Sequence, residues 1–404
     1  MSDPQPHSAA GQALGYVHQV QWSLVELLEC ARKAPSTFLR LESLDDVEIV
    51  DAGTGDIALT QIKHQVRPAA DLTENSVDLW RSLNVWMDVI QDLEMDNPPV
   101  LKLVTTASIP EDGALNYLRA DPTYRDVDRA LSTLEDAAQH GGNKRTQLWR
   151  ARFTTMAPEA RRSLLALITI DDGSPRARDA ADAIAESLRY AAPYGHVDTF
   201  VTYLLGWWYK ICVQLLDGSL GSIAAADLEI QISDLRDQFL PDNLPIAPDV
   251  RVPFSDQDSI PYRDRQFVQQ LMWIALDDRR LWMAIRDYHR AWTQRSEWLR
   301  LNLTCEPELD HFAFRLHDEW EQIFYNRVAK MKREGVPASE LAGQEILEMA
   351  SAESKARVRA RVDEGWLTRG TLHALADGWS NRVIGWHPDF EAKLAELLAG
   401  VSRD

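Results

Sequence analysis

The chain has 404 residues, of which 45% are hydrophobic and 26% charged, and carries a formal net charge of -19. Such a length allows two or three domains, the composition is that of a soluble globular protein, and no run approaches the ~18 apolar residues of a membrane span. The negative balance excludes a protein that coats nucleic acid indiscriminately, and any DNA contact must use local basic patches.

The opening MSDPQPHSAAGQ has neither a basic start nor an apolar core, so no secretion signal is expected. Residues 11–33 form the first strong helix, with Leu14, Val17, Val20, Leu24, Leu27 and Leu28 as its apolar stripe and Pro35 as its stop. Cys30, Cys212 and Cys305 lie far apart without CxxC spacing. That is the pattern of reduced thiols in a cytoplasmic protein, not of a zinc site or a disulfide framework. Two strand-like segments follow, FLRLESLDDVEIVD and DIALTQIKHQV, joined by the turn DAGTGD. A helix over residues 75–92 turns Leu79, Leu83, Val85, Trp86 and Ile90 inward, and PPVLKLVTTA is a short buried strand. Helix, strand, strand, helix, strand describes an α/β core over residues 11–110. Residues 111–245 extend it with helices at 126–139, 158–167, 177–191, 197–216 and 224–239, and LLALITID is the one further strand candidate.

The stretch FLPDNLPIAPDVRVPFSDQDSIP is rich in proline and aspartate and lacks periodicity. It places a linker over 246–262, between a first domain at 1–245 and an all-α domain at 263–404. The predicted helices there run over 263–276, 279–301, 306–334, 337–349, 355–364, 370–376 and 389–399. The second of them puts Leu281, Ile285, Tyr288, Trp292 and Leu299 on one stripe, bordered by Arg286, Asp287, Arg290, Gln294 and Arg295. A separately folding unit with aromatic stripes around Trp292, Trp298 and Trp320 suits a partner-binding and regulatory role.

Strand alternation sets Gln61 and Lys63 on one face. If the two strands pair through the Gly53/Gly55 turn, Asp46 and Lys63 converge at one end of the hairpin. Asp46 is preferred over the adjacent Asp45 because its alternation leaves Val47 and Ile49 for the core. A carboxylate, a second oxygen ligand and a lysine suit metal-assisted phosphodiester hydrolysis: the metal acidifies a water, and lysine orients the attacking oxygen and phosphate. The same residues also fit a hairpin with a solvated Asp and Lys. Neither His18 nor His64 has a partner at ligand spacing, and HGGNKRT lacks the spacing of a nucleotide-binding loop, so no nucleotide hydrolysis is expected. The basic, aromatic-laced stretch at 143–153 offers Lys144, Arg145, Arg150 and Arg152 to DNA, and a solvated helix face fits it equally well.

This order of residues resembles the PD-(D/E)xK nuclease core, with Gln61 in place of the usual acid. With GYVHQ on the first helix (Gly15, Tyr16, Gln19), Glu42 and Asp46 in LESLDDVEI, QIK, and VLKLVTTA, the chain looks like the double-stranded DNA endonuclease domain of CD-NTase-associated anti-phage effectors. That resemblance implies Asp46, Gln61, Lys63 and Glu42 as the catalytic set. Asp46, Gln61 and Glu42 would hold Mg²⁺ or Mn²⁺, and Gln19 and Tyr16 would position them. Because Gln61 brings no charge, a further acid is required, either Glu42 or one on the first helix such as Glu26. Gln61→Glu is then expected to keep activity.

In the second domain, AIRDYHRA..QRSEW and FRLHDEWEQIF resemble the C-terminal domain of effectors in ABC three-component defence systems, and the whole looks like a Lamassu effector. The resemblance implies a Mg-dependent endodeoxyribonuclease acting on double-stranded DNA, controlled by an SMC-like ATPase and a small middle subunit. The cysteine pattern and the lack of an apolar span lead to the expectation of a cytoplasmic, non-membrane protein. Since one such core cuts one strand, a homo-oligomer, dimer or tetramer, is expected when active. The alternatives are a nuclease switched directly by a cyclic oligonucleotide, against which the unbroken helical reading after the linker counts, and a non-catalytic DNA-binding or scaffold subunit.

Overall fold

The computed structural model describes residues 10–63, 71–92, 97–175 and 179–401, and the chain divides into two compact units, 1–236 and 237–404. The first is α/β. After α1 (Ala10–Lys33) come β1 (Thr37–Leu41), β2 (Val47–Asp51), β3 (Ile57–Lys63), α2 (Val77–Asp92) and β4 (Val100–Thr105). Then follow α3 (Val127–His140), α4 (Gln147–Thr155), α5 (Pro158–Leu167), β5 (Ile168–Asp171), α6 (Ala180–Ser187), α7 (Val197–Leu216), β6 (Ile223–Ala224) and α8 (Ala225–Asp237). The six strands form one mixed sheet in the order β5-β4-β3-β2-β1-β6. β1, β2 and β3 pair antiparallel, whereas β3, β4 and β5 run parallel.

The β2–β3 hairpin forms through the expected turn, where Gly55 takes φ +78°, a region costly for a side chain. One sheet face packs Leu59, Leu101, Leu103, Ile168 and Ile170 against Leu79, Trp80, Leu83 and Trp86 of α2 and against Leu134, Phe153 and Leu165. α1 serves the other face with Leu24, Leu27 and Leu28 buried, while Leu14 and Val17, at the start of its stripe, are exposed.

Several expectations are corrected. The segment read as one strand through Asp51 is two strands, because the tight loop 42–46 turns the chain back: the Glu42 N–H bonds the Asp46 carbonyl at 3.2 Å, with Glu42 at φ +48°. LLALITID is half helix and half strand, and residues 147–155 are helical. The helix expected over 177–191 is observed as the shorter α6, Ala180–Ser187, and its first expected residues and His64 lie outside the described residues. The three thiols are free, as expected, and burial pushes Cys30 and Cys212 up to about 11 and about 12. No described helix is long and apolar enough to cross a membrane.

Among the described residues the regular structure of the second unit is all helix: α9 (Asp256–Ser259), α10 (Gln266–Met272), α11 (Asp278–Arg300), α12 (Glu306–Glu334), α13 (Glu340–Glu353), α14 (Gly365–Ala376) and α15 (Phe390–Val401). Residues 355–364 form no helix, and α14 starts earlier than its periodicity suggests. α11 and α14 pack so closely that a Cβ on Gly370 would lie 2.0 Å from the Asp287 carbonyl oxygen. That contact explains why part of the polar border of the α11 stripe is interior: Asp287, Gln294 and Arg295 are buried. Trp298 and Trp320 are core residues, whereas Trp292, placed on the inward stripe, is 52% exposed. Of the three aromatics assigned to a partner surface, Trp292 alone lies on the outside.

The stretch taken for a linker folds onto this unit. Leu244, Ala247 and Val250 are buried, Trp298 Nε1 donates to the Pro245 carbonyl at 2.7 Å, and Gln294 Oε1 accepts from Ala247 N at 2.9 Å. The boundary is therefore near residue 236, ahead of the prolines. A fragment starting at Asp237 is expected to fold. One starting at Arg263 is expected to be less stable by about 3 kcal/mol or more, having lost three buried side chains and the partners of Gln294 and Trp298. Guanidinium unfolding of both fragments checks this, and equal midpoints would contradict it.

Candidate functional site

β3 and β4 run parallel, with Lys63 opposite Thr105 at their carboxyl ends. β2 runs the other way, so the loop that enters it ends at the same edge. Asp45 and Asp46 sit in that loop, two residues and one residue ahead of Val47, and are not bound by strand alternation. Both reach β3. Asp46 Oδ2 accepts the Ile62 backbone N–H at 2.7 Å and lies 3.4 Å from Lys63 Nζ. Lys63 Nζ also donates to Gln61 Oε1, on the same face of β3. Asp46, Gln61 and Lys63 therefore come together as the sequence suggests.

Asp45 completes the group from beneath. It is 6% exposed. Its Oδ1 accepts Gln61 Nε2–H and, at 2.9 Å, the Asp46 N–H, and its Oδ2 accepts Trp86 Nε1–H at 2.7 Å. Burial raises the Asp45 pKa, opposed by the hydrogen bonds from Trp86, Gln61 and the Asp46 backbone. Buried Ser82 offers its hydroxyl to Gln61 Oε1 at 3.4 Å. Ser82 and Trp86 are the functional candidates that sequence reasoning missed, Trp86 having been read as core only, and Asp45 is the one it weighed and set aside for Asp46. Their signal was present: Ser82 is a polar residue four positions before Trp86 on a helix face otherwise apolar.

Glu42 lies apart. Gln19 Nε2 on α1 donates to Glu42 Oε1 at 2.8 Å and to the Asp46 carbonyl at 3.1 Å, fastening the β1–β2 loop to the helix. Glu42 makes no hydrogen bond or ion pair with Gln61, Lys63 or the Asp46 side chain among the described residues. Tyr16 is 64% exposed. Glu26 is on the wrong face of the sheet. It bonds Lys102 Nζ at 2.5 Å, and Lys102 is in register with Thr60, whose side chain points opposite to those of Gln61 and Lys63. Asp171 joins that pair at 3.7 Å. Burial works against the Lys102 charge, yet Glu26 and Asp171 outweigh it and raise its pKa.

The basic stretch divides. Arg150 is buried and donates to the carbonyls of Ala137, Gly141 and Asn143 and to Thr146 Oγ1, which removes it from any DNA surface. Arg152 ties α4 to α2 through Asn84 and Asp88. Lys144 and Arg145 are exposed.

The class that these observations define is an α/β unit with an acid–amide–lysine cluster at its sheet edge, followed by a helical unit. Residues 267–394 match the family model of C-terminal domain 7 of the ABC-three component (ABC-3C) systems, which supports placing the chain in such a defence system. No curated protein matches the chain. Among solved structures, the Moraxella osloensis Cap4 SAVED/CARF-domain containing receptor is similar over 64% of this chain and 60% of its own, at 15% identity and TM-score 0.36. The Acinetobacter baumannii Cap4 receptor with the cyclic trinucleotide 3'3'3'-cAAA is similar over 70% of this chain and 66% of its own, at 13% identity and TM-score 0.35. The chain thus spans less than two thirds of these structures.

Trp86→Phe removes one donor from a buried carboxylate and keeps most of the ring packing. It is expected to cost about 1–3 kcal/mol, measured by chemical unfolding of the full chain. An unchanged midpoint would mean that the indole does not support Asp45.

Proposed function

We propose that this chain is the DNA-cutting effector of an ABC three-component defence system of the Lamassu kind, a metal-dependent endonuclease controlled by an SMC-like ATPase and a small middle subunit. One observation carries the nuclease part: Asp46, Gln61 and Lys63 meet at the carboxyl edge of three parallel strands, where α/β sheets open to ligands. The match over residues 267–394 supports the system.

The donors are hard oxygens without thiol or imidazole. Among the described residues no cluster of three or more His, Cys, Asp or Glu side chains is poised for a metal. Such a set fits Mg²⁺ or Mn²⁺, which keep several waters and need one or two carboxylates. Asp46 and the Gln61 carbonyl oxygen would hold the ion, and Glu42, fastened to Gln19 instead, contacts neither of them. When bound, it would supply Lewis acidity to the phosphate and a more acidic water. The chain's own part is positional. The Ile62 N–H fixes the Asp46 carboxylate, and Gln61 and Asp46 hold the Lys63 ammonium where a phosphodiester oxygen can replace them as its partner. The net charge of -19 leaves a single chain a poor DNA binder, so the working species is an oligomer that brings two sites to opposite strands.

Asp46→Ala and Lys63→Ala are each expected to lower cleavage of linear and circular DNA by about 10² or more in Mg²⁺, with no cutting in EDTA. Parent-like cutting by both variants would refute the assignment. A parent that leaves DNA intact with either metal would favour the non-catalytic scaffold. Sedimentation alongside the same titration tests the oligomer, since activity strictly linear in a monomer contradicts it.

Control is assigned to the helical unit. Residues 237–404 alone are expected to capture the ATPase and middle subunit in a pull-down, and residues 1–236 are not. Capture by the first unit alone would move control to the α/β unit.

A further inference from the structure

We propose that Asp45 supplies the negative charge that Gln61 lacks, delivered to the site across the Gln61 amide, so that position 61 must stay neutral. The proposal rests on reading Asp46, Gln61 and Lys63 as a nuclease site.

The geometry leaves Gln61 one orientation. Asp45 Oδ1 can only accept from its side-chain neighbours, so it selects Nε2 of the amide. Oε1 is thereby turned to Lys63 Nζ and Ser82 Oγ, both of which can donate. Among the described residues, every donor that reaches the Asp45 carboxylate is an N–H: the Trp86 indole, the Asp46 backbone and the Gln61 amide. The positive end of the amide dipole faces a carboxylate, and its negative end faces an ammonium. A hydrogen-bonded chain aligned this way polarises each member, so the Gln61 oxygen is more negative than that of a free amide. A glutamate here would set a second carboxylate against Asp45 in a site where both Asp45 and Gln61 are buried, replacing an attractive contact with a repulsive one at low dielectric. This reverses the expectation that Gln61→Glu keeps activity. It also relieves Glu42, fastened to Gln19, and Glu26, on the opposite sheet face, of supplying the charge.

The test is a charge exchange in the full chain. Gln61→Glu alone and Asp45→Asn alone are each expected to lower DNA cleavage by about tenfold or more. The double variant Asp45→Asn/Gln61→Glu restores one carboxylate beside one amide, and should recover cleavage to within about fivefold of the parent. Recovery stays partial because the Asp46 N–H loses its acceptor. Thermal unfolding without metal or DNA gives a second reading: Gln61→Glu should lower Tm by about 5 °C or more, and the exchange should return most of that loss. A Gln61→Glu variant with parent-like cleavage and Tm would overturn the proposal. So would additive Tm losses in the double variant, or a recovered Tm without recovered cleavage in an active parent background. If the parent cuts no DNA, the nuclease reading fails, and the thermal cycle decides the charge coupling: non-additivity upholds it, additivity overturns it.

Discussion

A carboxylate taken out of water has to be met by donors, and the architecture around Asp45 follows from that requirement. Trp86 comes from α2, Gln61 from β3 and the Asp46 N–H from the loop itself, so three separate pieces of chain must be in place before the charge is satisfied. Burying an ion costs several kcal/mol unless it is fully bonded, and such an arrangement tolerates little slack. The rigidity passes outward. Gln61 cannot rotate without breaking its bond to Asp45, and Lys63 is held by Gln61 and Asp46.

The sheet separates two charged clusters of different character. On the Thr60 face, Lys102 lies between Glu26 and Asp171 and stands 5.9 Å from the Trp22 ring. That cluster is closed by its own members, as expected of charges that hold α1 to the strands. At the carboxyl edge on the Gln61 face, the Lys63 ammonium meets an amide oxygen and a partly exposed carboxylate, a looser set that a ligand can enter. α1 serves both: Glu26 reaches Lys102, and Gln19, two turns earlier, fastens the loop that carries Asp45 and Asp46.

The helical unit is built on the same physics in a different layout. Asp287 is buried between Arg286 at 3.1 Å and Arg369 at 2.6 Å, and Asp377 takes Arg265, the Tyr288 hydroxyl and the Phe267 N–H. Arg295 is buried against the Trp379 ring at 4.0 Å, and burial lowers its pKa to about 10. These interior charges fix how α11, α14 and the 377–379 segment meet, and they leave Trp292 outside as an aromatic with no core to fill.

By itself the sequence determined whatever depends on neighbours along the chain. Period-two alternation put Gln61 and Lys63 on one face, the glycines of the turn paired β2 with β3, and 3.6-residue periodicity found α1, α2, α7, α11 and α12 near their observed ends. What it misjudged depends on partners far away in the chain. Asp45 looked like the discarded neighbour of Asp46 because alternation applies only inside a strand, and both lie just before one. Arg150 looked like a DNA contact until the carbonyls at the end of α3 took its guanidinium. The prolines of 241–253 looked like a linker because local sequence records the lack of periodicity and not the groove between helices that an irregular segment fills. Which of the four acids Glu26, Glu42, Asp45 and Asp46 faces Lys63 was decided only by the tertiary structure, because strand register, helix placement and loop closure must combine before any two side chains can share a hydrogen bond.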